Sequence, residues 1–210
     1  MRKFFIVSTG TDAGKTFLTC NLCYKFKNKA FAVKPLISGW DSALNRQLDT
    51  NQLLHALGMQ SNATNIDKIS TFRNRYTQDT DMAARLQNKK ETRLIEIRDF
   101  WVINNYENKY KEYFFIETLG GVMSPINKYS TVINMIQAIK AEVILIGGNY
   151  LGAISHMLTA YQTLKSQNIR VSLIIINEYN ATDIPINETK ESLSNFISAP
   201  IFHIPHIESK

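Results

Sequence analysis

Ser8-Thr9-Gly10-Thr11-Asp12-Ala13-Gly14-Lys15-Thr16 follows the apolar run Phe4-Phe5-Ile6-Val7 and opens an amphipathic run at Thr16. A buried strand, a tight loop and Gly-Lys-Thr at the start of a helix form the context in which a phosphate-binding loop works. Successive backbone N–H groups and the helix N-terminus make a concave anion site, and Lys15 adds a full positive charge. Thr16 supplies the hydroxyl that such loops present to Mg²⁺. The general pattern wants glycine at position 9, where this chain has Thr9; Gly10 is expected to supply the flexible position instead.

Working outward, the remaining apolar runs alternate with helical patterns. Ala30 to Val33 reads as a strand ending at Lys34-Pro35, and Thr50 to Leu57 as a helix with Asp49 or Thr50 at its cap. Ser61 to Thr80 is polar and aperiodic. Asp81 to Asn88 and Glu91 to Asn105 read as helices. Tyr113 to Ile116 is a strand ending on Glu117 before a Gly120-Gly121 turn, and Thr131 to Ile139 is a helix. Val143 to Ile146 is a strand closed by Gly147-Gly148, and Ala153 to Lys165 a helix. Val171 to Ile176 is a strand running into Asn177. Thr189 to Phe196 is helical, and Ile201 to Ile204 is a last strand before Pro205. Near-continuous apolar strands without alternation predict an α/β fold: a three-layer parallel sheet with helices on both faces. Residues 1–210 are expected to form one such domain.

In such sheets ligands sit beyond the carboxyl ends of the strands. Thr11 to Thr16, Lys34, Ser38, Glu117 and Asn177 all fall at those ends. Thr16, Asp49 and Glu117 offer the few oxygen ligands that Mg²⁺ takes from protein. Lys15 and Lys34 would neutralise charge on a transferring phosphoryl group. The residues thus predict an ATP-type phosphoryl-transfer site beside a second pocket; the acceptor does not follow from them.

Composition narrows the class. Hydrophobic content of 44% with 20% charged residues suits a soluble globular chain, and no apolar run approaches a membrane span. Met1-Arg2-Lys3 enters a strand directly, so the expected compartment is the cytoplasm. The net charge of +6 is spread out, with one short cluster at Arg85, Lys89, Lys90 and Arg93, which reads as a solvated face rather than a nucleic-acid groove. Cys20 and Cys23, in the helix behind the loop, read as small core residues. His203 and His206 flank Pro205 without a carboxylate cluster and are not read as metal ligands.

Thr9 to Thr16 together with Val33-Lys34-Pro35-Leu36-Ile37-Ser38-Gly39 resembles the dethiobiotin synthetase family, within the wider P-loop NTPase-like fold. Asp49, Asp81-Met82-Ala83-Ala84, Glu117 with Gly120-Gly121, Pro125-Ile126, Leu151 to His156, Asn177 and Ile204-Pro205 continue the likeness in order to about residue 207. The resemblance implies an ATP- and Mg²⁺-dependent cyclo-ligase of biotin synthesis. In that family 7,8-diaminopelargonic acid takes up CO₂ as a carbamate, ATP phosphorylates it, and the second amine closes the ureido ring. It implies Lys15, Lys34, Thr11 and Ser38 at the reacting groups, and Thr16, Asp49 and Glu117 on the metal. Asp12, Ala13, Gly14, Lys15, Thr16 and Glu117 would hold nucleotide, with Asn177 reading the adenine beside Pro205 and His206. Lys34, Ser38 and Gly120 would line the diamine site. It also implies a homodimer, in which Leu151 and Gly152 offer a helix N-terminus to the substrate carboxylate at the subunit boundary.

The chain departs from the family pattern in places. Thr118-Leu119 stands where Gly-Ala is usual, predicting either crowding of the carbamate pocket or a repacked turn. Ser8 replaces a glycine, Asp79-Thr80 replaces Ser-Pro, and the ending at Lys210 predicts a more open adenine pocket. Two other classes compete with the enzyme. One is a nucleotide-switched partition ATPase, whose signature lysine would fall at Gly10. The other is a nucleotide-binding relative without ligase activity.

Overall fold

A computed structural model describes residues 1–38, 40, 49–73, 91–178 and 183–206. Gly39, the Asp81–Ala84 stretch, the helix expected from Asp81 to Asn88, and Arg85, Lys89 and Lys90 lie outside them.

In chain order the elements are β1 (Arg2–Ser8), α1 (Lys15–Phe26), a 3-10 turn (Lys27–Lys29), β2 (Ala30–Val33), β3 (Leu36–Ile37), α2 (Asp49–Ala56), α3 (Ala63–Ile69) and β4 (Phe72–Arg73). Then come α4 (Leu94–Glu107), β5 (Tyr113–Gly121), β6 (Pro125–Asn127), β7 (Ser130–Thr131), α5 (Val132–Ile139) and β8 (Glu142–Gly148). The series closes with α6 (Ala153–Ser166), β9 (Val171–Asn177), α7 (Ile186–Ser194) and β10 (Ile201–Ile204).

Among the described residues the main sheet has six strands in the order β10-β9-β8-β1-β5-β2, all parallel. The apolar runs dictate this. Phe4 to Val7, Phe114 to Ile116 and Val143 to Ile146 are buried without alternation, as strands covered on both faces must be. α1 packs on β1, β2 and β5, while α6 packs on β8 and β9. Strand order reverses around β1, with β5 on one side and β8 on the other. The loop after β1 therefore opens into the crevice where such sheets bind ligands.

Several expectations change. The segment from Ser61 onward contains a helix, α3, capped by Asn62 Oδ1, which accepts from Asn65 N at 2.9 Å. Only Ile69 of that helix is buried, so no apolar stripe announces it. α7 begins at Ile186, after Pro185, rather than at Thr189. Glu117 does not end its strand, and Gly120-Gly121 is not a turn beyond it: β5 runs on to Gly121. Ile6 pairs with Glu117 and Ser8 with Gly121, so Val7 alone faces Thr118 to Gly120. This bulge keeps β5 in the sheet while its last residues arch over the end of β1.

Candidate functional site

The loop after β1 takes its shape from two residues. Asp12 has φ 56° and Gly14 φ 94°, both left-handed, whereas Gly10 is not in that region and has open space where a Cβ would stand. The flexible position expected at Gly10 thus falls at Asp12 and Gly14. Gly14 is required twice over, since a Cβ there would also overlap the Asn177 side-chain amide.

Lys15, first residue of α1, is buried with its ammonium turned back toward β1. Nζ donates to Ser8 Oγ at 2.8 Å, to Gly120 O at 3.0 Å and to Gly10 O at 3.3 Å. Burial lowers its pKa to about 8, against the opposing pull of Glu117. Ser8 is fully buried, and its own proton reaches Gly10 O (2.5 Å) or Gly120 O (2.8 Å).

A second cluster lies beside it. Thr16 Oγ1 donates to Glu117 Oε1 at 2.5 Å. Lys34, at the end of β2, places Nζ 2.8 Å from the same Glu117 oxygen, in contact with Asp49 Oδ2 and 3.4 Å from Thr16 Oγ1. Burial alone would lower the Lys34 pKa, but Glu117 and Asp49 together hold it above the ordinary lysine value. Glu117 is 0% exposed, and its Oε2 has no hydrogen-bond partner among the described residues. A buried carboxylate oxygen without a donor is costly unless something else meets it. Hard oxygens from a hydroxyl and two carboxylates, one with a spare buried lone pair, suit Mg²⁺.

These residues line one cavity of about 540 Å³, with Thr11, Asp12, Gly14, Phe17, Ser38, Leu119 and Gly120. Of the two enlarged residues at 118 and 119, only Leu119 faces it. Thr118 turns away, donating Oγ1 to Ile6 O at 3.1 Å. A second cavity, about 260 Å³, is bounded by Gly14, Phe17, Asn177, Glu178, Ile204, Pro205 and His206. Asn177 Nδ2 donates to Ala13 O at 3.2 Å there, and His206 Nδ1 meets Glu178 O at 3.2 Å. Gly14 and Phe17 border both cavities, so a molecule with an anionic end and a flat apolar end could span them.

Ala13 is buried and lines neither cavity, though its carbonyl accepts from Asn177, and two further predicted residues stand apart. Leu151 is 92% exposed and Gly152, at φ 92°, precedes α6; neither lines these two cavities. A third cavity of about 520 Å³ lies between Thr9 to Thr11, Gly121 to Pro125 and the α6 residues His156, Thr159 and Thr163. Ser8 and Phe17 are site residues that the sequence does not mark as such, while Leu119 lines the pocket it was expected to crowd. The signal for Ser8 was its place at the last strand position before the loop. Cys20 and Cys23 are buried with thiols pushed up to about 12 by desolvation, as core residues are.

Residues 2–209 match a family model described as an AAA domain. The ATP-dependent dethiobiotin synthetase BioD of Phenylobacterium zucineum is 33% identical over 98% of this chain and 89% of its own length. The protein of the same name from a Caulobacter species is 34% identical over 100% of this chain and 90% of its own. Among solved structures, a ParA family ATPase from Chlorobium tepidum covers 99% of this chain and 85% of its own at a TM-score of 0.59 and 14% identity, a likeness of fold alone.

Proposed function

The chain belongs to the ATP-dependent dethiobiotin synthetase family, ligases of biotin biosynthesis, and from that premise we propose how its residues divide the reaction. The observation that carries the reading is the convergence of Lys15, Thr16, Lys34, Asp49 and Glu117 on one cavity that also borders Ser38.

In this reading the triphosphate lies along the loop after β1, with backbone N–H groups and the start of α1 facing its oxygens. Lys15 turns from its carbonyl partners to the phosphates, where its full charge has a stronger counterpart than Gly10 O and Gly120 O. Thr16, Asp49 and Glu117 hold Mg²⁺, which supplies charge neutralisation on the phosphoryl oxygens. The adenine enters the smaller cavity against Phe17 and Pro205, with Asn177 and His206 at its polar edge.

7,8-Diaminopelargonic acid, carrying CO₂ as a carbamate on one amine, occupies the Ser38 and Gly120 side of the larger cavity. The carbamate oxygen attacks the γ-phosphorus and ADP leaves. The second amine then attacks the carbamoyl carbon, expelling phosphate and closing the ureido ring. Lys34 stands where negative charge builds on both carbamate and phosphoryl group, so its attraction strengthens in the transition state. Leu119 narrows the cavity without filling it. The substrate carboxylate is taken up by Leu151 and Gly152 of a second copy of the chain, in the cytoplasm.

A coupled phosphate-release assay tests this. Release from ATP should require both the diamine and bicarbonate. Lys34→Gln should lower kcat at least about tenfold, roughly 1.4 kcal/mol of barrier, with a smaller effect on nucleotide Kd. ATP hydrolysis indifferent to diamine and bicarbonate would instead favour the partition-ATPase reading.

A further inference from the structure

Lys34 is packed among the same three oxygens that are proposed above to hold the metal. Its ammonium touches Asp49 Oδ2 and lies 2.8 Å from Glu117 Oε1 and 3.4 Å from Thr16 Oγ1. The lysine is nearly buried and Glu117 fully so, with side-chain exposures of 8% and 0%. An ammonium and a divalent cation on one small set of oxygens, Glu117 fully buried and Asp49 45% exposed, would face each other within a few ångströms. At that range and in that surrounding, like charges repel strongly. The two cations are mutually exclusive on this oxygen set.

The charge balance decides when they exchange. Around the cavity Lys15 and Lys34 face three carboxylates, Glu117, Asp49 and Asp12. A divalent ion arriving alone would turn that lining net positive, and would evict Lys34 from Glu117 without supplying an anion to receive it. A nucleoside triphosphate carries that compensation, and its terminal phosphoryl oxygens give the displaced ammonium a partner inside the same cavity.

We propose that Lys34, besides its part at the reacting groups, keeps the place of the metal in the nucleotide-free protein, so that the divalent cation is taken up only together with the triphosphate. The displacement delivers Lys34 from Glu117 to the γ-phosphate side, which couples metal loading to arming of the transferring group. In the nucleotide-free protein Glu117 Oε1 is held by Lys34 and Thr16, and Oε2, without a donor among the described residues, gains the incoming ion as its partner once Lys34 has left. The inference rests on the metal ligands of the proposed function.

Mn²⁺ titration followed by electron paramagnetic resonance tests it on the full chain. Nucleotide-free wild type should bind Mn²⁺ weakly, and a non-hydrolysable ATP analogue should create a tight site. Lys34→Met, which keeps the length and removes the charge, should bind Mn²⁺ without nucleotide at least about tenfold more tightly than wild type. Adding Glu117→Gln to Lys34→Met should abolish that gain. Equal nucleotide-free affinities in folded wild type and Lys34→Met overturn the proposal, as does wild type binding Mn²⁺ equally with and without the analogue. Should Lys34→Met not fold, the wild type suffices, by nitrogen-15 spectroscopy of its lysine ammonium groups. The Lys34 resonance should be unmoved by Mg²⁺ alone and shifted by Mg²⁺ with the analogue; a shift with Mg²⁺ alone refutes the idea. Diamine-dependent phosphate release by wild type, measured alongside, reports on the ligase reading independently of these affinities.

Discussion

Lys15 has three N–H groups and three acceptors, but all three acceptors are neutral: Ser8 Oγ, Gly10 O and Gly120 O. Neutral partners replace the hydration of a buried ammonium only in part, which is why burial brings its pKa down to about 8. Ser8, the departure from glycine before the loop, gains a physical account here, since its hydroxyl is the shortest of the three contacts. The shift has a consequence for stability. Between about pH 8 and 10.5 the unfolded chain holds a proton on Lys15 that the folded chain has lost, so stability rises with pH across that window. Below pH 8 both states are protonated and the cost of burying the charge is felt in full. Urea unfolding of wild type and Lys15→Met should therefore show the wild type gaining relative to the variant as pH rises from 8 to 10.5, by on the order of 2 kcal/mol. A difference constant across that range would mean that Lys15 is not buried in its charged form.

The loop between β1 and α1 is the element on which the site depends, and Gly14 is its tightest point. Its φ of 94° disfavours any side chain, and a Cβ would meet the Asn177 amide that donates to Ala13 O. Gly14→Ala should cost about 1–3 kcal/mol in urea unfolding through backbone strain and crowding. Because Gly14 borders both cavities, calorimetric ATP affinity should fall along with stability. An alanine variant with wild-type affinity would show that the nucleotide does not span this point. The loop, β2 and β10 were legible in the sequence because apolar runs and a Gly-Lys-Thr turn mark their own ends. The bulge in β5 was not legible: Thr118 and Leu119 look like ordinary strand residues, and only the pairing of Ser8 with Gly121 reveals the arch. α3 escaped for a different reason, since seven residues with one buried side chain carry no periodic signal. The metal-ligand candidates were readable as residue types at strand and helix ends. Lys34 was readable in the same way, but its pairing with them was not, because contact across a separation of 83 residues between Lys34 and Glu117 belongs to the packing of β2 beside β5.

At the scale of the whole molecule, the reversal of strand order around β1 gathers the loop, Lys34 and Glu117 at one rim, while Asn177 and Pro205 reach it from the β9–β10 side. Of the predicted site residues, Leu151, Gly152 and the buried Ala13 line neither of these two cavities. Leu151 is 92% exposed at the turn into α6, and Met123, 54% exposed, borders the cavity that α6 closes with Thr9 to Thr11. The homodimer proposed above would cover such a side chain. In a twofold dimer each contact is made twice, so burying Leu151 at the boundary would contribute about 3–6 kcal/mol to association. Sedimentation under assay conditions should show a dimer, and Leu151→Asp should raise its dissociation constant at least about a hundredfold. Since Leu151 lines neither the phosphate nor the base cavity, the variant should keep its affinity for ATP and lose diamine-dependent turnover at concentrations where it is monomeric. Raising its concentration until it dimerises should restore that turnover in part. A wild type that sediments as a fully active monomer would remove the shared site. It would also require the substrate carboxylate to be held within one chain.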